Sequence, residues 1–172
     1  MKVLWAPWRL TYVSQTDAPS GCIFCDLARA ESREARRRAL VLYADDDAQV
    51  LMNRFPYAHA HLMVAPRRHT ADFAGLEPHI AAAMHAVLQR AQRALQAVYS
   101  PAGFNIGMNL GRTAGAGIAD HLHWHIVPRW EGDTNFMPML ADTRVMPQHI
   151  EEAYERLLPM FAGDDSPVAG ES

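Results

Sequence analysis

Three histidines, His121, His123 and His125, alternate with large apolar residues in the stretch Asp120-His121-Leu122-His123-Trp124-His125-Ile126-Val127-Pro128-Arg129-Trp130. Imidazole titrates near neutrality, with an ordinary pKa of ~6.5, so it can serve as nucleophile, proton carrier or metal ligand. The alternation has the period of a β-strand, which rises ~3.3 Å per residue and turns successive side chains to opposite faces. The histidines therefore share one face, with neighbours ~6–7 Å apart. Leu122, Trp124 and Ile126 share the other, which is expected to be the buried one. The plainer alternative is a half-buried strand whose histidines are simply solvated.

A second group can do metal chemistry. Cys22-Ile23-Phe24-Cys25 has the spacing of a metal knuckle or of a redox pair. Nothing around it looks like a thioredoxin-type unit. Zinc needs two more ligands, usually His or Cys, and His69 and His121 are candidates. Two thiols without metal are the competing reading.

Between the histidine row and the preceding apolar run lies Leu110-Gly111-Arg112-Thr113-Ala114-Gly115-Ala116-Gly117-Ile118-Ala119. Gly115 and Gly117 let backbone N–H groups approach an anion closely. Arg112 or Arg129 can add a charge-assisted hydrogen bond. No Gly-Lys-Ser/Thr follows, so the loop is not a P-loop. It is either a plain hairpin connection or, ending beside the histidines, a phosphate cradle.

These groups need elements to hold them. Gly103 to Asn109 alternates apolar with small or polar residues and predicts a partner strand, with Asn109 at its end. Leu40–Ala44 and Ala48–Met52 predict strands about Asp45-Asp46-Asp47, whose carboxylates suit a turn better than a cation site. His61–Ala65 predicts a third strand, stopped by Pro66, on which His61 can support the triad from a neighbouring position. His59 is expected to be exposed, and His79 and His85 ordinary surface residues. Asp26–Arg38 predicts one helix whose basic end suits a C-terminus. Glu77–Ser100 predicts the main helix, ~35 Å long. Its buried stripe is Ile80, Met84, Val87, Leu88, Ala91, Leu95 and Val98, and its wet face carries Gln89, Arg90, Gln92, Arg93 and Gln96. Pro147–Phe161 predicts a last short helix. Trp130 can stack on a base or a partner subunit, though aromatic packing is the simpler role. The fold class expected is α+β, a mostly antiparallel sheet of about five strands with packed helices.

At 172 residues the chain fits one domain with a full core. The division expected is an arm at 1–21 carrying Trp5, Trp8 and Tyr12, a domain at 22–161 and a flexible tail at 162–172. A net charge of −3 argues against nucleic-acid polymers as partners. Lys2 is the only lysine; arginine suits phosphate geometry, but the abundant alanine beside it points to genome-wide base composition. No apolar run approaches the ~18 residues of a membrane helix, so no membrane partner is expected. A lone Cys-x-x-Cys pair without an export signal suggests a reduced, cytoplasmic setting.

His121-Leu122-His123-Trp124-His125-Ile126-Val127 resembles the His-φ-His-φ-His-φ-φ signature of the histidine triad (HIT) superfamily. Leu4-Trp5-Ala6-Pro7-Trp8-Arg9, Cys22-Ile23-Phe24-Cys25, Asn53-Arg54-Phe55-Pro56-Tyr57, His61 to His69 and Gly132 to Pro138 extend the resemblance to the bacterial diadenosine polyphosphate hydrolase/phosphorylase branch. It covers roughly residues 3–161. It implies a two-fold homodimer with sheets joined edge to edge, and a nucleotide substrate, here diadenosine tetraphosphate. His123 would attack the α-phosphorus, with His125 and the loop N–H groups stabilising charge and His121 holding the strand. The resemblance assigns Asn53 to the ribose hydroxyls, and Cys22, Cys25, His69 and His121 to a structural zinc.

One departure bears on the acceptor. Hydrolase members have a glutamine four residues before the first triad histidine, where this chain has Gly117, followed by Ile118 where a hydroxyl residue is usual. A water needs fixed partners to be aimed, whereas inorganic phosphate suits a glycine-lined nest. Phosphorolysis is therefore favoured over hydrolysis, although the serine usual in the phosphorylases' loop is also missing. Three competitors remain: a hydrolase of other nucleotide conjugates such as phosphoramidates, a metallohydrolase with metal on the triad, and a non-catalytic nucleotide- or zinc-binding module.

Overall fold

The computed structural model describes residues 21–30, 32–133 and 147–162. Trp5, Trp8 and Tyr12 of the arm, Thr134 to Pro138 and the tail from 163 onward lie outside the described residues. Among those described the order is α1 (Ile23–Ala28), α2 (Arg33–Ala39), β1 (Val41–Ala44), β2 (Ala48–Met52), β3 (Leu62–Pro66), α3 (Pro78–Tyr99), β4 (Gly103–Met108), β5 (Trp124–Arg129) and α4 (Ile150–Leu157). The five strands form one antiparallel sheet in the order β1-β2-β3-β5-β4, the α+β architecture expected.

The helix expected over 26–38 is instead two. Ser32 breaks it, because its hydroxyl accepts the Ala35 N–H at 3.1 Å and caps a new helix from outside. Arg36, Arg37 and Arg38 then fill the last turn of α2, against the negative end of its dipole. Between β1 and β2, Asp45 Oδ1 accepts the N–H groups of Asp47 and Ala48 at 2.9 and 2.7 Å. The acidic run is turn chemistry.

α3 buries Ile80, Met84, Val87, Leu88, Ala91, Ala94 and Leu95 against one face of the sheet, with Val98 at the rim. The opposing strand residues are Ala48, Val50, Met52, Leu62, Val64 and Ile126. Each large aliphatic side chain covered in this way contributes roughly 1.5–3 kcal/mol. Pro78 at the first helical position and the αL residue Ser100 mark the helix ends. The other face of the sheet carries a smaller apolar cluster of Val41, Leu51, Met63 and Ala65, closed by Phe24 from α1.

Two expectations about the histidine stretch change. Regular pairing begins only at Trp124, so His121, Leu122 and His123 form an extended approach in which Leu122 N–H donates to Thr70 O at 2.7 Å. The histidine side is also covered: His121 and His123 are 1% and 3% exposed, because α1 packs over them. Both faces of the sheet are buried here, each in its own way.

Candidate active site and metal centre

Two long polar side chains seat α1 on the histidine side of the sheet. Gln49, fully buried on β2, donates Nε2–H to Phe24 O at 3.1 Å, and Arg67 donates to Ala28 O at 2.7 Å. The Phe24 ring then lies 5.0 Å from that of His121 and 4.9 Å from that of His123. The same docking brings Cys22 and Cys25 to His121.

His121 Nε2–H donates to Pro66 O at 2.8 Å, since a carbonyl oxygen can only accept. The Nδ1 lone pair of a neutral ring is left facing Cys22 Sγ at 3.2 Å and Cys25 Sγ at 3.7 Å. Cys25 Sγ lies 3.3 Å from His69 Nδ1. The ligand atoms of Cys22, Cys25, His69 and His121 all fall within 4.8 Å of one another. A tetrahedral zinc with Zn–S of ~2.3 Å and Zn–N of ~2.0 Å separates its sulfur and nitrogen ligands by roughly 3.5 Å. The four residues fit that ion, and the Pro66 carbonyl supplies the outer hydrogen bond that orients a ligating histidine. His123 and His125 are not in this group, and it is the one such cluster among the described residues.

His123 Nδ1–H donates to the carbonyl of His121 at 2.9 Å, which puts the lone pair on Nε2. Burial pushes the His123 imidazole below its ordinary pKa, partly offset by that carbonyl. Burial lowers His121 in the same way, offset by Pro66. His123 is thus a neutral base with a fixed tautomer.

His125 sits opposite Met63 in the β3–β5 ladder, beside the His123 ring, with centroids 4.9 Å apart. His61 Nε2 is 3.0 Å from His125 Nδ1. Its other nitrogen, Nδ1, receives the Tyr57 N–H at 3.1 Å and lies 3.3 Å from Asn53 Nδ2. The Tyr57 ring lies over both imidazoles, 4.6 Å from His61 and 5.4 Å from His125. Asn53 closes the turn as well, its Oδ1 accepting from Phe55 N–H at 2.9 Å, so it joins the turn to the histidine relay.

The other residues singled out in the sequence fall in two places. Gly111 and Gly115 take positive φ, +80° and +93°, around a 3₁₀ turn at Arg112–Ala114, and Asn109 Nδ2 donates to Gly115 O at 3.5 Å. Arg112 and Gly117 are exposed in this loop, which leads directly into His121. Trp130, by contrast, follows the far end of β5 from His123. Its indole N–H donates to Tyr99 O at 3.3 Å, and its ring centroid is 6.0 Å from that of His59. Arg129 is held there by both carboxylate oxygens of Asp133, at 2.6 and 2.8 Å, and by Asn105. His59, expected to be exposed, is half-buried edge-on to Tyr99, and desolvation lowers its pKa, with Arg156 adding to the shift.

Sequence reasoning did not pick out Gln49, Phe24 or Tyr57 as site residues. Gln49 carried a signal, as the single polar residue in Ala-Gln-Val-Leu-Met. Phe24 had none apart from lying between the cysteines.

The HIT domain family matches residues 34–132. An AP-4-A phosphorylase of Mycobacterium tuberculosis is 34% identical over 167 residues, covering 92% of this chain and 84% of its own length. Adenylylsulfatase HINT3 of Arabidopsis thaliana is 31% identical, over 70% of this chain and 58% of its own. A zinc-bound histidine triad family protein from Mycobacterium smegmatis superposes with a TM-score of 0.64 at 30% identity, covering 83% of this chain and 94% of that one. With its sheet, its histidine row and this span of similarity, the chain belongs to the HIT-domain family.

Proposed function

We propose that this protein cleaves dinucleoside polyphosphates, diadenosine tetraphosphate foremost, through a nucleotidyl intermediate on His123. The observation that carries the reading is the His123 Nδ1–H bond to the His121 carbonyl, with Nε2 left as a neutral, preset lone pair. That lone pair attacks the α-phosphorus, and the P–O bond to the leaving nucleotide breaks. The His125 Nε2–H, preset by the relay through His61, and the N–H groups of the 111–117 loop stabilise charge on the phosphoryl oxygens and the leaving group. Asn53 binds the ribose hydroxyls, while Asn109, Gly115, Gly117 and Arg112 border the phosphates. For Trp130, the indole bond to Tyr99 O beyond β5 supports packing or a partner subunit over stacking on a base.

An acceptor then displaces Nε2 from the phosphorus and restores the free histidine. Inorganic phosphate is the favoured acceptor, because the loop offers glycine N–H groups rather than a side chain to aim a water. The activity named for the M. tuberculosis relative agrees with this choice. Product analysis with diadenosine tetraphosphate and phosphate decides it: phosphorolysis gives ADP and ATP, hydrolysis AMP and ATP. AMP as the persistent partner of ATP at millimolar phosphate, with no rise in rate, would identify a hydrolase. A single in-line displacement, read as inversion at phosphorus, would exclude the histidine intermediate.

Cys22, Cys25, His69 and His121 would hold zinc, which supplies a structural cross-link when bound. These residues anchor α1 and the approach to His123 in the same act. A zinc-bound relative supports this assignment. The edge of β4 is the surface for a homodimer: Ile106 and Leu110 are 45% and 49% exposed on or beside the strand that ends the sheet among the described residues. Among the described residues no helix is long and apolar enough to cross a membrane. The similarity to an adenylylsulfatase favours one second reading, cleavage of other adenylyl conjugates by the same histidine. A substrate panel at equal concentration separates the two by kcat/KM.

A further inference from the structure

We propose that Tyr57 is a positioning residue for His125: its amide holds the proton of His61 on Nε2, and its ring seats the two linked imidazoles in one orientation. A backbone amide can only donate, so the Tyr57 N–H at 3.1 Å makes His61 Nδ1 an acceptor. Asn53 Nδ2 approaches the same atom at 3.3 Å and reinforces the assignment. The neutral His61 ring must then carry its proton on Nε2, from which it donates to His125 Nδ1 at 3.0 Å. His125 in turn carries its proton on Nε2, as a hydrogen-bond donor. The chain of donors starts at a main-chain amide, which has no alternative protonation state.

The tyrosine ring does a second job. Its centroid lies 4.6 Å from His61 and 5.4 Å from His125, with interplanar angles of 37° and 36°. Both imidazoles therefore pack, tilted, against the one tyrosine ring. Tyr57 is 44% exposed, so core burial does not account for a large aromatic at this position. Its neighbours do. A histidine that donates to a departing phosphate must keep its ring direction through the reaction, and the Tyr57 ring touches both imidazoles at once.

The proposal rests on the reading of His125 as a participant in nucleotidyl transfer, and its tests separate the two. In the full-length protein without substrate, ring ¹⁵N NMR should show His125 protonated at Nε2 and not at Nδ1. In His61→Leu the His125 signals should shift toward a mixture of tautomers. With diadenosine tetraphosphate, Tyr57→Leu should lower kcat about tenfold with KM changed less than about twofold, since orientation matters most in the transition state. Tyr57→Phe, which restores the ring, should recover kcat to within about twofold of wild type. Wild-type His125 protonated at Nδ1 would overturn the proposal. So would an unchanged kcat in Tyr57→Leu, or a Tyr57→Phe as slow as Tyr57→Leu, which would assign the effect to the hydroxyl. If the wild type turns over no nucleotide at all, the functional reading fails, while the proton positions in substrate-free protein still judge this one.

Discussion

The two faces of the sheet are held by different physics. On one side α3 lays an apolar stripe across Val50, Leu62, Val64 and Ile126, and non-directional burial of area does the work. On the other, α1 is only six residues long and with its own Phe24 covers four buried apolar side chains. What seats it is directional: Gln49 to Phe24 O, Arg67 to Ala28 O, and the convergence of two cysteines and two histidines. The first face tolerates side chains of similar volume. The second fixes ring tautomers and ligand directions, and this is the side where chemistry needs atoms at set positions. A site on a small polar-anchored face gains placement at the expense of redundancy.

The contrast predicts mutations that separate activity from stability. His123→Ala should lower turnover at least ~10³-fold, because it removes the residue proposed as nucleophile. Thermal melting should show that the fold survives, and turnover near wild type would refute the role. Metal is the next largest effect. Protein purified without chelator should carry about one zinc per chain. Cys25→Ser should lose that zinc and melt at lower temperature, since α1 has little burial to hold it. Metal analysis that finds no zinc in the wild type would remove the cross-link from this account.

On the other face, Leu95→Ala should destabilise by ~2–5 kcal/mol through lost burial and a cavity. Denaturant titration measures the loss, and kcat of the remaining folded protein should stay near wild type. If kcat falls with stability, the two faces are not independent. Gln49→Met, which keeps the volume and removes the bond to Phe24 O, should be the mildest. It should cost about 1 kcal/mol. Gln49 Oε1 has no hydrogen-bond partner among the described residues, so part of the desolvation cost disappears with it. A variant as damaging as Leu95→Ala would mean that Gln49 does more than seat α1.

Several of these features were legible in the residues. α3 follows from its apolar period, with bounds shifted by one residue at each end, and β2 spans the run expected, Ala48–Met52. Such periods are local, and a helix or strand must bury its stripe somewhere. The resemblance grouped Cys22, Cys25, His69 and His121 before any geometry, and the fold brings their ligand atoms together. The break at Ser32 was missed because a serine in a run of helix formers caps as readily as it continues. His59 was misjudged because its cover comes from Tyr99 and Trp130, which are distant in sequence.

The amino-acid sequence by itself determined elements such as α3 and β2 and put three histidines at a spacing of two. Only the tertiary structure decided what each imidazole does. His121 gives one nitrogen to Pro66, 55 positions away, and turns the other to the cysteines. His123 bonds to the carbonyl of His121, and His125 to His61, which directly precedes β3. Three chemically identical rings thus acquire three hydrogen-bonding environments. Hydrogen-bond partners set a ring's proton and direction, and those partners arrive by folding rather than by spacing along the chain.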